Sequence, residues 1–172
     1  MVTLVKSKTA VSKELAELGL VLPQPVTPLG NYLPAVWTGE FVFFSGHGPL
    51  RAGNKPAFIG HVGTDFSDER ASTILIGATL NLLSSAEKIL GDLDRVDRVI
   101  EAHVIVASAN DKVDLELVSA PAFQLLARLF GPIESTRVTR AVSLPNGVPV
   151  LVEMVVTAKE LTIEMIGWLP GT

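Results

Sequence analysis

The stretch "RVDRVIEAHVIVAS", residues 95–108, decides the fold class of this chain. It is rich in β-branched residues and contains no glycine or proline, which predicts a long β-strand. A helix with one apolar stripe is predicted before it, capped by Ser67 and ended by Gly91. A second helix is predicted after it. Helices that return the chain to parallel strands predict a mixed sheet with both helices on one face.

Shorter elements precede this unit. A short helix over 12–18 is followed by a connector with three prolines. Two strands, 31–39 and 40–46, flank a hairpin turn at Gly39-Glu40, and Pro34 places the first of them at a sheet edge or before a bulge. A further short strand is expected around residues 57–59.

The segment after residue 108 contains the second main helix and two more strands. Pro121 is expected to interrupt the helix, which would form a first turn near Asp114, begin anew around 119–121 and stop at Gly131. The last strands, 136–144 and 148–158, are separated by "PNG", a strong hairpin signal. The order predicts one α+β domain whose second sheet face meets either solvent or another subunit.

Composition narrows the functional classes. Hydrophobic residues make up 48% of the 172 residues and charged residues 19%, so the apolar excess suggests a subunit interface. The formal charge of −4 without a basic run argues against nucleic acid as a partner. No membrane helix or signal peptide is predicted, so a cytoplasmic location is expected. The chain has no cysteine, and its three histidines lack metal-ligand spacing, so no metal site is expected.

Three stretches together resemble the Rid family, the reactive-intermediate deaminases, which are also called YjgF-like or endoribonuclease L-PSP-like. They are "NYLPAVWTGEFVFFSGHGPL" at 31–50, "LNLLSSAEKILGDLDRVDRVI" at 80–100 and "SLPNGVPVLVEMVV" at 143–156. The opening "LAELGLVLP" resembles a longer branch of that family. This assigns residues 31–158 to the domain, 1–30 to an N-terminal helix and connector, and 159–172 to a C-terminal extension.

The resemblance implies a chorismate-mutase-like fold and a homotrimer with a central β-barrel and small-molecule clefts between subunits. Its best-known members hydrolyse imines and enamines derived from amino acids, releasing ammonia and a 2-keto acid without metal or organic cofactor. An arginine binds the substrate carboxylate, and a carboxylate or backbone group positions water.

Four residues at the first hairpin lie at positions of the family's cleft, and three of them match the family's residues. Tyr32 corresponds to a tyrosine at the cleft edge, or it is an ordinary strand aromatic. Ser45 and Gly46 correspond to a Ser-Gly pair that binds ligand, or they only form a tight turn. His47 stands where a glutamine is common. On a loop at the strand end it would carry protons, or it would simply be solvated.

The family's arginine position is ambiguous in this sequence. Counting back from Leu144-Pro145, it falls on Thr136. A register slip of one residue puts Arg137 there and turns Arg140 toward the helices, where it must be paired or reach solvent. Without the slip Arg140 enters the cleft face. Strand alternation allows one arginine on each face, and a third alternative is that neither has the role.

The family's water-orienting glutamate position falls on Leu151. Glu153 shares that face of its strand, and it either takes over the carboxylate role or pairs with an arginine. Glu101 and His103 share a face of another strand and are expected to line the barrel. The main hypothesis is a cofactor-independent hydrolase or deaminase. The alternatives are a protein that binds a small carboxylate without turnover, and a specialised hydrolase or isomerase with His47 as acid/base.

Overall fold

The computed structural model describes residues 10–25, 32–51, 53 and 55–159. In these residues there are three α-helices, α1 (Ala10–Glu17), α2 (Asp68–Leu90) and α3 (Leu115–Phe130). The strands are β1 (Ala35–Thr38), β2 (Phe41–His47), β3 (Leu50–Arg51), β4 (Lys55–Pro56), β5 (Val96–Ala107), β6 (Ile133–Ala141) and β7 (Val150–Ala158). The beginning of the predicted N-terminal segment, part of its connector and the C-terminal extension after residue 159 lie outside the described residues.

Five strands form one mixed sheet in the order β1-β2-β7-β5-β6. Strands β5 and β6 are parallel, and the other neighbouring pairs are antiparallel. The predicted mixed sheet is therefore confirmed. The first hairpin is confirmed as well, because Thr38 pairs with Phe41 across Gly39 and Glu40, and β1 follows Pro34 at the sheet edge.

Helix α2 has the boundaries that its sequence predicts. The Ser67 side chain accepts a hydrogen bond from the Arg70 backbone N–H, and Gly91 ends the helix with φ of 81°. The helix is long and apolar enough to cross a membrane, but most of its apolar window is buried inside the domain. It is the core helix of the fold.

Two predictions about the second half of the chain are wrong. Helix α3 runs unbroken from its Asp114 cap through Pro121. Proline removes only the bond to the Leu117 carbonyl, and Leu117 is exposed, so water can replace that bond. Strands β6 and β7 do not form a hairpin either, because β5 lies between them. The "PNG" turn, with Asn146 at φ of 58°, instead carries the chain across β5.

The expected strand at residues 57–59 is also absent. The structure forms a small two-stranded ribbon, β3 with β4, just before those residues, and Ala57 only donates its backbone N–H to the Pro49 carbonyl. Ladder pairing needs a partner strand, and residues 57–59 run past β3 without one.

Helices pack on only one of the two faces of the large sheet in the described residues. On one face, α2 and α3 bury the core, which includes Val104, Val106, Val152 and Val156. The opposite face, here called the open face, carries half-exposed side chains such as Phe43 on β2, which is 45% exposed. Among the described residues no helix packs on the open face, as the sequence predicts.

Candidate functional site

A β-bulge interrupts the pairing of β2 with β7. Phe44 pairs with Met154 and His47 pairs with Val152, so Ser45 and Gly46 together stand opposite Glu153. A bulge places two residues against one and redirects their side chains. A Cβ on Gly46 would lie 3.5 Å from Glu153 Oε1. Glycine at this position therefore leaves a small space in front of the carboxylate on the open face.

The serine of the predicted Ser-Gly pair makes its hydrogen bonds to other residues of the same chain. Ser45 Oγ donates a hydrogen bond of 2.7 Å to the Leu33 carbonyl, and the Ser45 N–H donates to the Pro34 carbonyl. These bonds attach the segment before β1 to the bulge. Tyr32, at the start of that segment, is 49% exposed and is therefore accessible to a ligand or another subunit.

The expectation that His47 stands on an exposed loop is wrong. It is the last residue of β2, it is 5% exposed, and it faces α2. The bulge adds one residue and so turns His47 to the helix side of the sheet. Its Nδ1 lies 2.6 Å from the Ser45 carbonyl oxygen and its Nε2 lies 2.9 Å from Ser85 Oγ on α2. Burial lowers the pKa of His47, and the bond to the Ser45 carbonyl opposes this effect only in part.

The two candidate arginines lie on opposite faces of β6. Arg137 pairs in register with His103 and lies on the open face, where its Nη2 donates to Glu101 Oε1 at 2.9 Å. Arg140 pairs in register with Val106 on the helix side. Its guanidinium reaches the end of the strand and donates to the carbonyls of Asp111 and Val113 at 3.2 and 3.3 Å. The long side chain thus carries its charge past the apolar helix face.

His103 joins three strands at the centre of the open face. It is 8% exposed, and its Nδ1 lies 3.0 Å from Glu153 Oε2 on β7. Its Nε2 lies 2.8 Å from Thr139 Oγ1 on β6. Glu153 therefore bonds His103 through one carboxylate oxygen and directs the other toward the space at Gly46. We call Glu153, His103 and Thr139 the central triad.

The central triad can move protons. A carboxylate only accepts hydrogen bonds, so the hydrogen of a neutral His103 ring lies on Nδ1, and Nε2 is then free to accept one from the Thr139 hydroxyl. Arg137 adds a cation on the same face two residues before Thr139. In the part of the chain that the structure describes, no group of three or more His, Cys, Asp or Glu side chains is arranged to hold a metal ion.

Comparison with known proteins shows which proteins this chain resembles. No protein-family model matches the chain. The protein Atu1372 of Agrobacterium tumefaciens is 30% identical, with a TM-score of 0.76 over 87% of this chain and 92% of its own. A candidate endoribonuclease from Shewanella oneidensis is 22% identical and has a TM-score of 0.80, with 87% and 99% covered. Protein TCP17 of Trypanosoma cruzi is 29% identical over 85% of this chain and 92% of its own.

More distant solved structures share the fold. RidA from an Antarctic Psychrobacter is 20% identical with a TM-score of 0.53, and it covers 78% of this chain and 93% of its own. Escherichia coli TdcF, solved with bound serine, is 18% identical with a TM-score of 0.55, and it covers 81% and 96%. The chain belongs to the Rid/YjgF/L-PSP-like family.

Counted along the sequence, the family's arginine and glutamate positions are predicted to fall on Thr136 and Leu151. Arg137 and Glu153 stand one and two residues further along, both on the open face. Sequence reasoning missed Thr139 as a partner of His103. Of its two alternatives for Glu153, a pair with an arginine is wrong, because Glu153 pairs with His103, and the carboxylate role stays a prediction. Alternation showed that His103 and Glu101 share a face, but only the strand order brings β7 and β6 to either side of them.

Proposed function

We propose that this protein is a cofactor-independent hydrolase of the deaminase type, acting on a small imine, enamine or related carbonyl metabolite that carries a carboxylate. One observation carries the proposal. Glu153 is held by His103 through Oε2 while Oε1 faces the space left by Gly46. That is where a carboxylate can hold a water molecule beside exposed backbone.

The reaction needs a water molecule to attack the imine carbon. Glu153, supported by the neighbouring imidazole of His103, takes a proton from the water as its oxygen bonds to carbon and the C=N electrons move to nitrogen. Solvent protonates the imine nitrogen as those electrons arrive, which gives an amino alcohol, and Glu153 then passes its proton to the amino group. Ammonia leaves as the C–N bond breaks, and the hydroxyl oxygen becomes the carbonyl oxygen of the product. The proton of that hydroxyl goes to the emptied carboxylate of Glu153 or to solvent.

Arg137 is the proposed binder of the substrate carboxylate. Its side chain is 54% exposed, and one Nη2 bond goes to Glu101. A guanidinium has five N–H donors in a planar fork, so other donors remain for a ligand carboxylate. TdcF, which has the same fold, binds serine, an amino acid with such a carboxylate.

The proposal includes a homotrimer in which residues of two neighbouring subunits line each substrate cleft. The open face carries exposed apolar side chains, among them Phe43 and Val36, which another copy would cover. Tyr32 and the bulge at Ser45 and Gly46 lie at the β1 side of that face, where a cleft edge between subunits is expected. Light scattering should report a particle with three times the 18.3 kDa chain mass. A monomer in dilute buffer would contradict this part of the proposal.

The activity is tested with imines generated in place. An amino-acid oxidase or a serine/threonine dehydratase supplies the substrate, and semicarbazone formation reports how long it survives. Wild-type protein should shorten that time, and Glu153→Gln should lower the rate constant by about 100-fold or more. Glu134→Gln is the matched control, because Glu134 pairs with Arg98 instead. An imine lifetime unaffected by the wild-type protein would refute the deaminase proposal.

A second candidate function is capture of a small carboxylate without turnover. Leu151 favours it, because its Cδ1 would lie 3.4 Å from a Cβ on Gly46 and makes the space beside Glu153 partly apolar. Thermal shift measurements with a set of 2-keto acids distinguish the two functions. A ligand that raises the melting temperature and is recovered unchanged supports capture.

A further inference from the structure

The central triad has the order of groups that activates a hydroxyl as a nucleophile. A carboxylate bonds His103 Nδ1 at 3.0 Å, and a hydroxyl bonds Nε2 at 2.8 Å. The carboxylate fixes the tautomer with its hydrogen on Nδ1, so the Nε2 lone pair points at Thr139 Oγ1. Imine hydrolysis as proposed above uses Glu153 and its imidazole neighbour and leaves the threonine without a chemical task.

His103, the base, is more deeply buried than Thr139, the nucleophile, and this difference suits nucleophilic catalysis. The His103 side chain is 10% exposed, while that of Glu153 is 40% exposed and Thr139 is half-buried. The imidazole is therefore held from both sides and shielded, whereas Thr139 and Glu153 are less buried on the same open face. A nucleophile, a base in hydrogen-bond reach and a third group that orients the base are the signature of an activated nucleophile.

We propose that Thr139 accepts an acyl group from an activated ester, so that the protein has an acyl-transfer and esterase activity in addition to the proposed imine hydrolysis. The activity uses the same face and shares Glu153 and His103 with the proposed function, but it adds a covalent intermediate. The substrate class is a small ester, thioester or lactone. Arg137 lies two residues before Thr139 on the same strand face, about 6.8 Å along the strand, and offers N–H donors to the developing oxyanion.

The steps balance without any further reagent. Thr139 Oγ1 bonds to the ester carbonyl carbon while its proton passes to His103 Nε2. The tetrahedral intermediate collapses, the bond from carbon to the leaving oxygen breaks, and the alcohol departs with that proton. Water then attacks the acyl-threonine, gives its proton to His103, and the acid is released as the proton returns to Thr139 Oγ1.

The test is acylation by p-nitrophenyl acetate, followed by intact mass and by mapping of the modified peptide. Wild-type protein should release a burst of p-nitrophenolate, at most one per chain, and gain one acetyl group on Thr139. Thr139→Val keeps the branched shape and removes the hydroxyl, so the burst rate should fall by about 100-fold or more. Thr139→Ser should restore the burst. Thr136→Val is the matched control, because Thr136 lies on the same strand but on the other face.

The outcomes separate this inference from the proposed function. Acetyl groups found on lysines or the N-terminus, or a burst unchanged in Thr139→Val, would overturn the inference even if imines are hydrolysed. Acetylated Thr139 in a protein that leaves imine lifetimes unchanged would overturn the deaminase proposal alone. Should Thr139→Val fail to fold, peptide mapping of the wild-type protein still decides, because it locates the acetyl group directly.

Discussion

Replacement of Ser85 with alanine tests how His47 is held in the core. His47 Nδ1 faces the Ser45 carbonyl at 2.6 Å, and a carbonyl only accepts, so the ring hydrogen lies on Nδ1. His47 Nε2 is then an acceptor, and its donor is the Ser85 hydroxyl at 2.9 Å. The two residues are 5% and 2% exposed. In Ser85→Ala the Nε2 lone pair is left unpaired where water has little access.

The expected cost is about 1–3 kcal/mol of unfolding free energy, the usual penalty for a buried polar atom left without a partner. For a domain of this size each kcal/mol lowers the melting temperature by about 2–4 °C. Urea denaturation followed by circular dichroism, at one fixed protein concentration, measures the change.

Ser72→Ala on the same helix is the matched control, because the Ser72 hydroxyl bonds only the backbone carbonyl of Glu69 near the first turn. It should change stability by no more than about 0.5 kcal/mol. If Ser85→Ala is as stable as this control, the hydrogen bond to His47 contributes nothing, and the buried pair does not hold β2 to α2.

Three further predictions follow from the same structure. Because burial lowers the pKa of His47 below its ordinary value of 6.5, the unfolded chain takes up the proton first. The free energy of unfolding should therefore fall as the pH drops below about 6.5, by at most about 1.4 kcal/mol per pH unit from this group. In urea melts from pH 5 to pH 8, the free energy of unfolding should fall less steeply for His47→Gln than for the wild-type protein. Parallel pH profiles for the two proteins would show that His47 does not cause the fall. Gly63→Ala should lose more than about 1 kcal/mol, because φ is +82° and the new Cβ would lie 2.6 Å from a valine methyl carbon. Gly53→Ala, where φ is +79° but no atom lies within 4 Å of the new Cβ, should lose less unfolding free energy in the same melts. Equal losses in the two variants would show that the contact with the valine methyl group contributes nothing. Arg140→Gln should lower the free energy of unfolding by about 1 kcal/mol, as read from melting curves, with little effect on imine hydrolysis. Arg137→Gln should weaken substrate binding, as read from KM. The reverse pattern would assign substrate binding to Arg140 and the structural role to Arg137.

Local signals predicted the elements well where local physics decides them. Helix α2 begins after a serine cap and ends at a glycine with positive φ, and both residues are recognisable in the sequence. Alternation along β6 also established that Arg137 and Arg140 face opposite sides. It could not say which of them shares the open face, because that depends on the register of β6 against β5.

Predictions failed where a residue's environment comes from distant parts of the chain. Pro121 signals a helix break, yet α3 continues because the carbonyl it leaves unpaired lies on an exposed turn. The "PNG" signal describes a tight turn correctly but does not name the strands that it joins. The sequence predicts that His47 follows the strand on a loop, but a bulge in β2 turns its side chain into the core.

By itself the sequence determined α2, the long strand β5, the hairpin of β1 and β2, and the placement of Arg137 and Arg140 on opposite faces of β6. These properties depend on neighbours within a few positions. Only the tertiary structure decided that β7 and β6 flank β5, and hence that Glu153 and Thr139 meet the two nitrogens of His103. A hydrogen bond between side chains fifty or thirty-six positions apart exists only when strand order and register bring them together, and no local pattern encodes that order.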